Sequence, residues 1–493
     1  MTPSSSHPGV RRKHRLELLS SLLVERILVL DGAMGTLIQA AGLTEADFRG
    51  ERLAGHPHDL ASNNDLLCLT RPDVIGDIHR AYLDAGADII ETNSFNATAV
   101  SQAPYGTEAL VHDISLAAAS VARSAADEAE AREPGRPRYV AGAMGPTARM
   151  ASIPADFADP ASRGVTFADL QATYGDAARG LLEGGADLLL VETIYDTLNA
   201  KAAIYGIEEA FDALGVRVPI MLSATVGRGR RMLTGQTVEA FWNAVAHARP
   251  LSVGLNCGSG AADLRPPLEE LSRIASVFVS AYPNAGMPGA DGTYSETPAV
   301  TAAALGEIAG AGLVNIVGGC CGTTPDHVRA IAEAVRGVRP RTVPEIPAME
   351  RLSGLRPFNV EAARLPVVIR EAEAAGFDSA ALASLIKEGR LDDAIDLLRR
   401  QPDEGAPIVV IDTGPAPVEA PAMTRLVNLL LSEPDLAALP FAIRSATREA
   451  VEAALACLQG RSVVMTGGTA GGMRGEAEAS FERYGAALLG GEE

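Results

Sequence analysis

FADLQATYGDAARGLLEGGADLLLVE, residues 167–192, reads as one complete passage from helix to strand. Positions 167–183 form an amphipathic helical stretch, and glycines then punctuate the chain before a short apolar run closed by Glu192. An unbroken apolar run of this length fits a strand buried on both faces, as in a parallel sheet. Outward from here the same alternation extends from about residue 26 to residue 340. Eight candidate strands emerge at 27–30, 88–91, 139–142, 188–192, 220–225, 252–255, 277–281 and 313–317, and helices at 72–85, 237–248 and 325–335 read as clearly as the first. Eight strands alternating with helices are the number that closes a barrel. The expectation is therefore an α/β chain with a (β/α)8 TIM barrel over 24–338.

The residues just past each strand matter more than the strands themselves. Asp31, Glu91 with Thr92 and Asn93, Gly145, Glu192, Asn256 with Cys257, Asn284 and the pair Cys320/Cys321 stand at or just beyond strand ends. In this architecture the C-terminal strand ends converge on one face, which carries the active site.

Outside the barrel, the opening MTPSSSHPGVRRKHR is Ser-rich and basic and no apolar stretch with a cleavage-like site follows it, so a disordered tail over 1–23 is expected and not a targeting signal. A Pro- and Arg-rich tract without periodicity marks a linker over 339–360. Beyond it, a helix at 380–400, strand 408–412, helix 422–431, strand 441–444, helix 449–457 and strand 462–466 predict a partial second α/β barrel-like domain over 361–493. The tract GGTAGGMRGE, 467–476, reads as loop. A net charge of −20 disfavours nucleic acid as a partner. No apolar run reaches the roughly 18 residues of a membrane helix. Five cysteines are too few and too uneven for a disulfide framework, and their usage suits a reducing cytoplasm.

Cys257 lies in GLNCG and Cys320/Cys321 in GGCCGTTPDH, each directly after a strand and flanked by glycine. Their separation is far outside finger-type spacing. Three readings stay open on the residues alone: metal ligands, small buried hydrophobes, or a vicinal disulfide. If they hold zinc, three thiolates leave a fourth tetrahedral position free, which marks a catalytic rather than a structural site. A soft sulfur environment also favours a thiol substrate in that position.

DGAMGTLIQ (31–39), ETNSFNAT (91–98), GAMGPT (142–147), VETIYDTLNAKAA (191–203), GLNCG (254–258), YPNAG (282–286) and GGCCGTTPDH (318–327) together resemble the homocysteine S-methyltransferase family. ERILVLDGAMGT, NNDLLCLTRPDVI and LSGLRPFNV make the likeness strongest to the N-terminal homocysteine-binding module of cobalamin-dependent methionine synthase. The resemblance implies Zn2+ on Cys257, Cys320 and Cys321, with Asn284 as exchangeable fourth ligand. It implies that Asp31 and Glu192 receive the ammonium of L-homocysteine and that backbone amides near Gly145 receive its carboxylate.

After the linker the chain resembles the methyltetrahydrofolate-binding pterin module of the same enzyme, but departs from it where function sits. The opening GERTN motif is absent, and the segments that should carry acidic and amide groups read Thr413-Gly414-Pro415, Arg444-Ser445-Ala446 and Thr466-Gly467-Gly468. Pro407 and Pro415 flank a strand expected to be interior. Folate is not expected to bind, and no DxHxxG cobalamin motif occurs. The expected activity is zinc-dependent methylation of homocysteine to methionine, with methylcobalamin or a corrinoid protein supplying the methyl group in trans. A sulfonium donor such as S-methylmethionine, or a non-catalytic subunit that binds homocysteine or a protein partner, are the alternatives.

Overall fold

The apolar runs become eight parallel strands: β1 Leu28–Val29, β2 Ile89–Glu91, β3 Tyr139–Met144, β4 Leu188–Ile194, β5 Ile220–Ala224, β6 Ser252–Asn256, β7 Phe278–Tyr282 and β8 Ile316–Val317. They pair in the order β1-β8-β7-β6-β5-β4-β3-β2. The ring closes where Leu30 bridges Ile89 in parallel, with Asp88 N donating to Val29 O at 2.7 Å and Asp31 N to Ile89 O at 3.0 Å. This computed structural model describes residues 8–227, 229–289, 292–374, 378–466 and 476–490. The tract expected as loop at 467–476 lies outside the described residues except for its last position.

Successive strand residues face opposite ways, and with both faces covered most strand positions are apolar. Leu188 and Leu190 point into the barrel with Leu28, Leu30, Ile89, Tyr139, Met221 and Ile316. Leu189 and Val191 point outward against the helical shell.

Residues 8–25, most of which were expected within a disordered tail, form a helix instead, α1 Pro8–Glu25. One of its faces carries Arg15, Leu19 and Leu23, spaced one turn apart. Leu19 and Leu23 are 1% and 0% exposed and join the barrel-interior cluster. Arg15 donates to Asp187 Oδ1 at 2.9 Å, just before β4 begins, and Tyr139 OH donates to Arg15 O at 3.1 Å. The helix thus plugs the end of the barrel where the strands start.

The expected linker is without helix or strand only to residue 349. Its remainder is an antiparallel hairpin, Glu350–Ser353 with Pro357–Val360. The second unit then builds a four-stranded parallel sheet, β9 Val409–Asp412, β10 Phe441–Arg444, β11 Val463–Met465 and β12 Ala487–Leu489, in chain order. β9 lies at its edge, where flanking prolines remove no ladder donor. The helix expected at 380–400 breaks at Gly389, whose φ of 73° is left-handed, into Ser379–Lys387 and Leu391–Asp403. Leu391–Asp403, Ala420–Leu430 and Arg448–Leu455 cover one face of the sheet through Val409, Ile411 and Ile443. Leu365–Ala374 covers the other through Val410, Ala442 and Val463. That second cover occupies the side a closing barrel would turn inward, so the sheet stays open.

The two units share a buried contact. Lys201, 0% exposed on helix Thr197–Leu214, donates to Leu458 O at 2.7 Å and Gly460 O at 3.0 Å. The Tyr484 ring lies 5.1 Å from Phe167 and 4.9 Å from Tyr205. Asn243 Nδ2 donates to Leu352 O, and Asn428 Nδ2 to Ala161 O. Among the described residues, no helix is long and apolar enough to cross a membrane.

Candidate metal and substrate site

At the end of β6 the backbone turns left-handed at Cys257 (φ 57°) and Gly258 (φ 70°), and Cys257 N reaches Tyr282 O at the end of β7. After β8, Cys320 N donates to Pro283 O at 2.7 Å, and Ala285 N donates to Cys321 O at 2.9 Å. The loop after β7 is therefore stitched between the two cysteine loops. Gly319 is required there, since a Cβ at that position would lie 2.4 Å from Thr323 Oγ1.

These turns bring the three sulfurs together. Cys257 Sγ and Cys321 Sγ are 4.0 Å apart, Cys320 Sγ and Cys321 Sγ 3.9 Å, and all three lie within 4.8 Å of one another. A tetrahedral zinc with Zn–S bonds of about 2.3 Å separates its sulfurs by about 3.8 Å. The donors present thus fit a metal of that size and softness, and the separations are too long for any S–S bond. Hydrogen bonds from Cys257 and Cys320 hold the Cys321 thiol down at about 3, whereas sharing those same hydrogens raises Cys320 well above the usual thiol range.

Opposite the sulfurs stand three carboxyl groups on strand ends. A cavity of about 400 Å³ is lined by Asp31, Glu91, Glu192, Cys257, Cys320 and Cys321. Burial pushes Glu192 up to about 8, with the neighbouring Cys257 adding to it. Burial also raises Asp31 and Glu91 well above the carboxylate range, and Glu192 raises both further. Asp31 Oδ2 accepts from Glu91 N at 3.1 Å, while Asp31 Oδ1 and Glu91 Oε1 are buried without a hydrogen-bond partner among the described residues. Three acids share one cavity, two of them with oxygens unpartnered among the described residues, a set of groups whose chemistry suits a cation.

Not every residue singled out from the sequence joins them. Asn284 sits in the loop between the cysteines, 4% exposed, with an Oδ1 that has no hydrogen-bond partner among the described residues, but it does not line the cavity surface. Gly145 lines a small adjoining space beside Glu192. Its amide donates to Phe95 O at 2.9 Å, and its carbonyl accepts from Tyr174 OH. The amide of Gly145 itself is thus bonded within the protein.

Other residues of the site carried weaker signals. Glu91 shared the strand-end position of Asp31 and Glu192, which was the signal for its role. Tyr294 lines the cavity from a loop that no periodicity marks, and a Cβ at Gly322 would meet its side chain at 2.3 Å. Asn256, 0% exposed, connects the acid side of the site to the sulfur side.

A closed (β/α)8 barrel with three convergent thiols facing buried acids at the strand C-termini defines an enzyme whose chemistry sits at that face. The homocysteine S-methyltransferase family model matches residues 28–335, and the chain belongs to that family and is a methyltransferase. Among solved structures, the oxidised and metallated forms of the homocysteine methyltransferase MmuM from Escherichia coli are similar at 23% identity, with TM-scores of 0.49 and 0.48. Each covers 64% of this chain, and 98% and 99% of its own. A putative phosphonomutase from Burkholderia cenocepacia shares 14% identity at a TM-score of 0.33, covering 63% of this chain and 92% of its own.

Proposed function

We propose that this methyltransferase converts L-homocysteine to L-methionine with zinc held by Cys257, Cys320 and Cys321, and takes the methyl group from methylcobalamin or a corrinoid protein in trans. The observation that carries the reading is the juxtaposition of a tetrahedron-sized sulfur triangle with three buried acids in one cavity. Homocysteine carries a soft thiol and an ammonium on one small molecule, the two groups that the sulfur and acid sides of the cavity suit. Zinc, when bound, keeps a thiol ligand deprotonated at neutral pH.

The chain's own residues do the rest. Asp31 and Glu192, joined by Glu91, take the ammonium, which supplies the positive charge their burial lacks. Asn284, whose Oδ1 is buried beside both cysteine loops with no hydrogen-bond partner among the described residues, is assigned the exchangeable fourth position. The cavity removes competing water from the thiolate. In the transfer, the substrate sulfur forms the bond to the methyl carbon, and the leaving group keeps the electron pair of the bond that breaks. The nucleophile is the substrate's own sulfur, so the reading assigns a donor whose methyl group already sits on a good leaving group.

The second unit is assigned no pterin. At its strand ends Arg444 pairs with Asp412 at 2.6 Å and Glu373 at 2.9 Å, and Thr413 and Ser445 bond each other at 2.8 Å, leaving these groups already engaged. The test mixes zinc-loaded protein and homocysteine with methylcobalamin in one tube and S-methylmethionine in another, and measures methionine. Methionine from methylcobalamin is expected. Turnover with the sulfonium alone would overturn the donor, and turnover with neither, while zinc and homocysteine still bind, would favour a non-catalytic binding subunit.

A further inference from the structure

Thr193 and Cys257 are both non-glycine residues held left-handed, at φ 52° and 57°, in a cavity wall. Such conformations persist only where surrounding contacts over-determine them. One side chain touches both sides of that problem. Asn256 directly precedes Cys257, and its amide is fully committed. Its Oδ1 accepts from Thr193 N at 3.1 Å and from Ser223 Oγ at 2.7 Å. Its Nδ2 donates to Thr193 Oγ1 at 2.8 Å and is directed at Cys320 Sγ at 3.9 Å. The orientation is not arbitrary. A backbone N–H can only donate, so the oxygen must face Thr193 N, and the NH2 is then turned toward the hydroxyl and the sulfur.

We propose that Asn256 is a positioning residue that registers the acid Glu192 against the thiolate of Cys320, a role that rests on the metal and homocysteine reading of the site. Through Thr193 it fixes the backbone that aims Glu192, its sequence neighbour. Through Nδ2 it gives Cys320 an N–H···S bond, which withdraws electron density from the sulfur and sets how strongly that sulfur donates to a metal. A single buried amide thus sets the spacing between the cation-binding and thiol-binding ends of the cavity.

The test uses the full chain loaded with Co2+ in place of zinc, so that the sulfur-to-metal charge-transfer band reports on the thiolates without substrate or turnover. Asn256→Asp keeps an acceptor for Thr193 N and removes the donor to Cys320, and Asn256→Ala removes both. Both variants are expected to bind one Co2+ with the band shifted to lower energy and metal affinity reduced about 10–100-fold, the usual loss when a partner behind a metal ligand is removed. Only Asn256→Ala should also raise KM for homocysteine by more than tenfold, because only it frees Thr193. Adding Thr193→Gly to Asn256→Ala should recover part of the KM, since glycine adopts φ near 52° without strain, and leave the band shifted. A band identical to wild type in both variants would overturn the role toward Cys320, and an unchanged KM in Asn256→Ala would overturn the role toward Glu192. A wild-type chain that takes up no Co2+ would reject the metal reading and this assignment with it. A chain that shows the band shift but never methylates homocysteine would sink the proposed function alone.

Discussion

Replacing Leu23 by Ala tests whether α1 is a structural plug. Leu23 is 0% exposed among the barrel-interior residues, one turn from Leu19 at 1%. Truncating a fully buried leucine costs about 2–5 kcal/mol, the spread reflecting how far the site collapses. Here the cost is limited from above by the docking energy of the helix, because a plug that loses an anchor can leave rather than line a cavity. Arg15 on Asp187 opposes that release, so a value near the middle, about 3 kcal/mol, is expected. Domains of 150–250 residues lose roughly 2–4 °C of Tm per kcal/mol. A barrel of this size falls at the low end, giving a drop of about 6 °C in a thermal melt. Leu18→Ala is the control. Leu18 is 37% exposed on the same helix, and its loss should stay within about 0.5 kcal/mol. Zinc content should be unchanged in both variants, since the sulfurs sit at the opposite end of the strands. If Leu23→Ala melts together with Leu18→Ala, the helix does not seal the barrel and the reasoning fails.

Three further outcomes are expected. Cys257→Ala, Cys320→Ala and Cys321→Ala should each lose both zinc and methionine formation, measured by elemental analysis and mass spectrometry, and full activity in a zinc-free preparation would reject the metal role. Glu192, raised to about 8, holds its proton at pH 7, and an arriving ammonium lowers it, so binding releases a proton and tightens as pH rises toward 8. Calorimetry in buffers of different ionisation heat should count fewer protons released with Glu192→Gln, and an identical count would remove Glu192 from the cation site. Gly254→Ala places a Cβ 2.0 Å from Ser280 Oγ and 2.4 Å from Ser280 O. The carbonyl can yield only by moving β7, a cost of about 1–3 kcal/mol or more, and a wild-type melting temperature would show that the two strands are not so tightly apposed.

The barrel was legible because the strands are buried on both faces and leave short, mostly apolar runs, from Leu188 to Val191 above all. The sulfur cluster was legible because strand ends converge, whatever the distance in sequence. The plug was not. Its decisive residues, Leu19 and Leu23, come after a basic, Ser-rich start, and only the open end of a barrel gives that face something to cover. Tyr294 left no trace for a related reason, since it stands in a loop whose course depends on neighbours remote in sequence. Asn256 was visible as a strand-end residue, but its task depends on Thr193 and Ser223 on two other strands. At Gly145 the motif marked the position, while the bond of its amide to Phe95 O is visible only in three dimensions.

The family match ends at residue 335, yet the wall of the barrel does not end there. Lys201 has its ammonium enclosed by the carbonyls of Leu458 and Gly460, and Tyr205 and Phe167 are roofed by Tyr484. Once a barrel has come to rely on such a neighbour, shedding it strands a polar group and wets an aromatic cluster in the same event. The contact therefore makes the barrel wall depend on the second unit. If the second unit binds no pterin, as proposed above, this contact still gives its flank a structural task that its strand ends do not share.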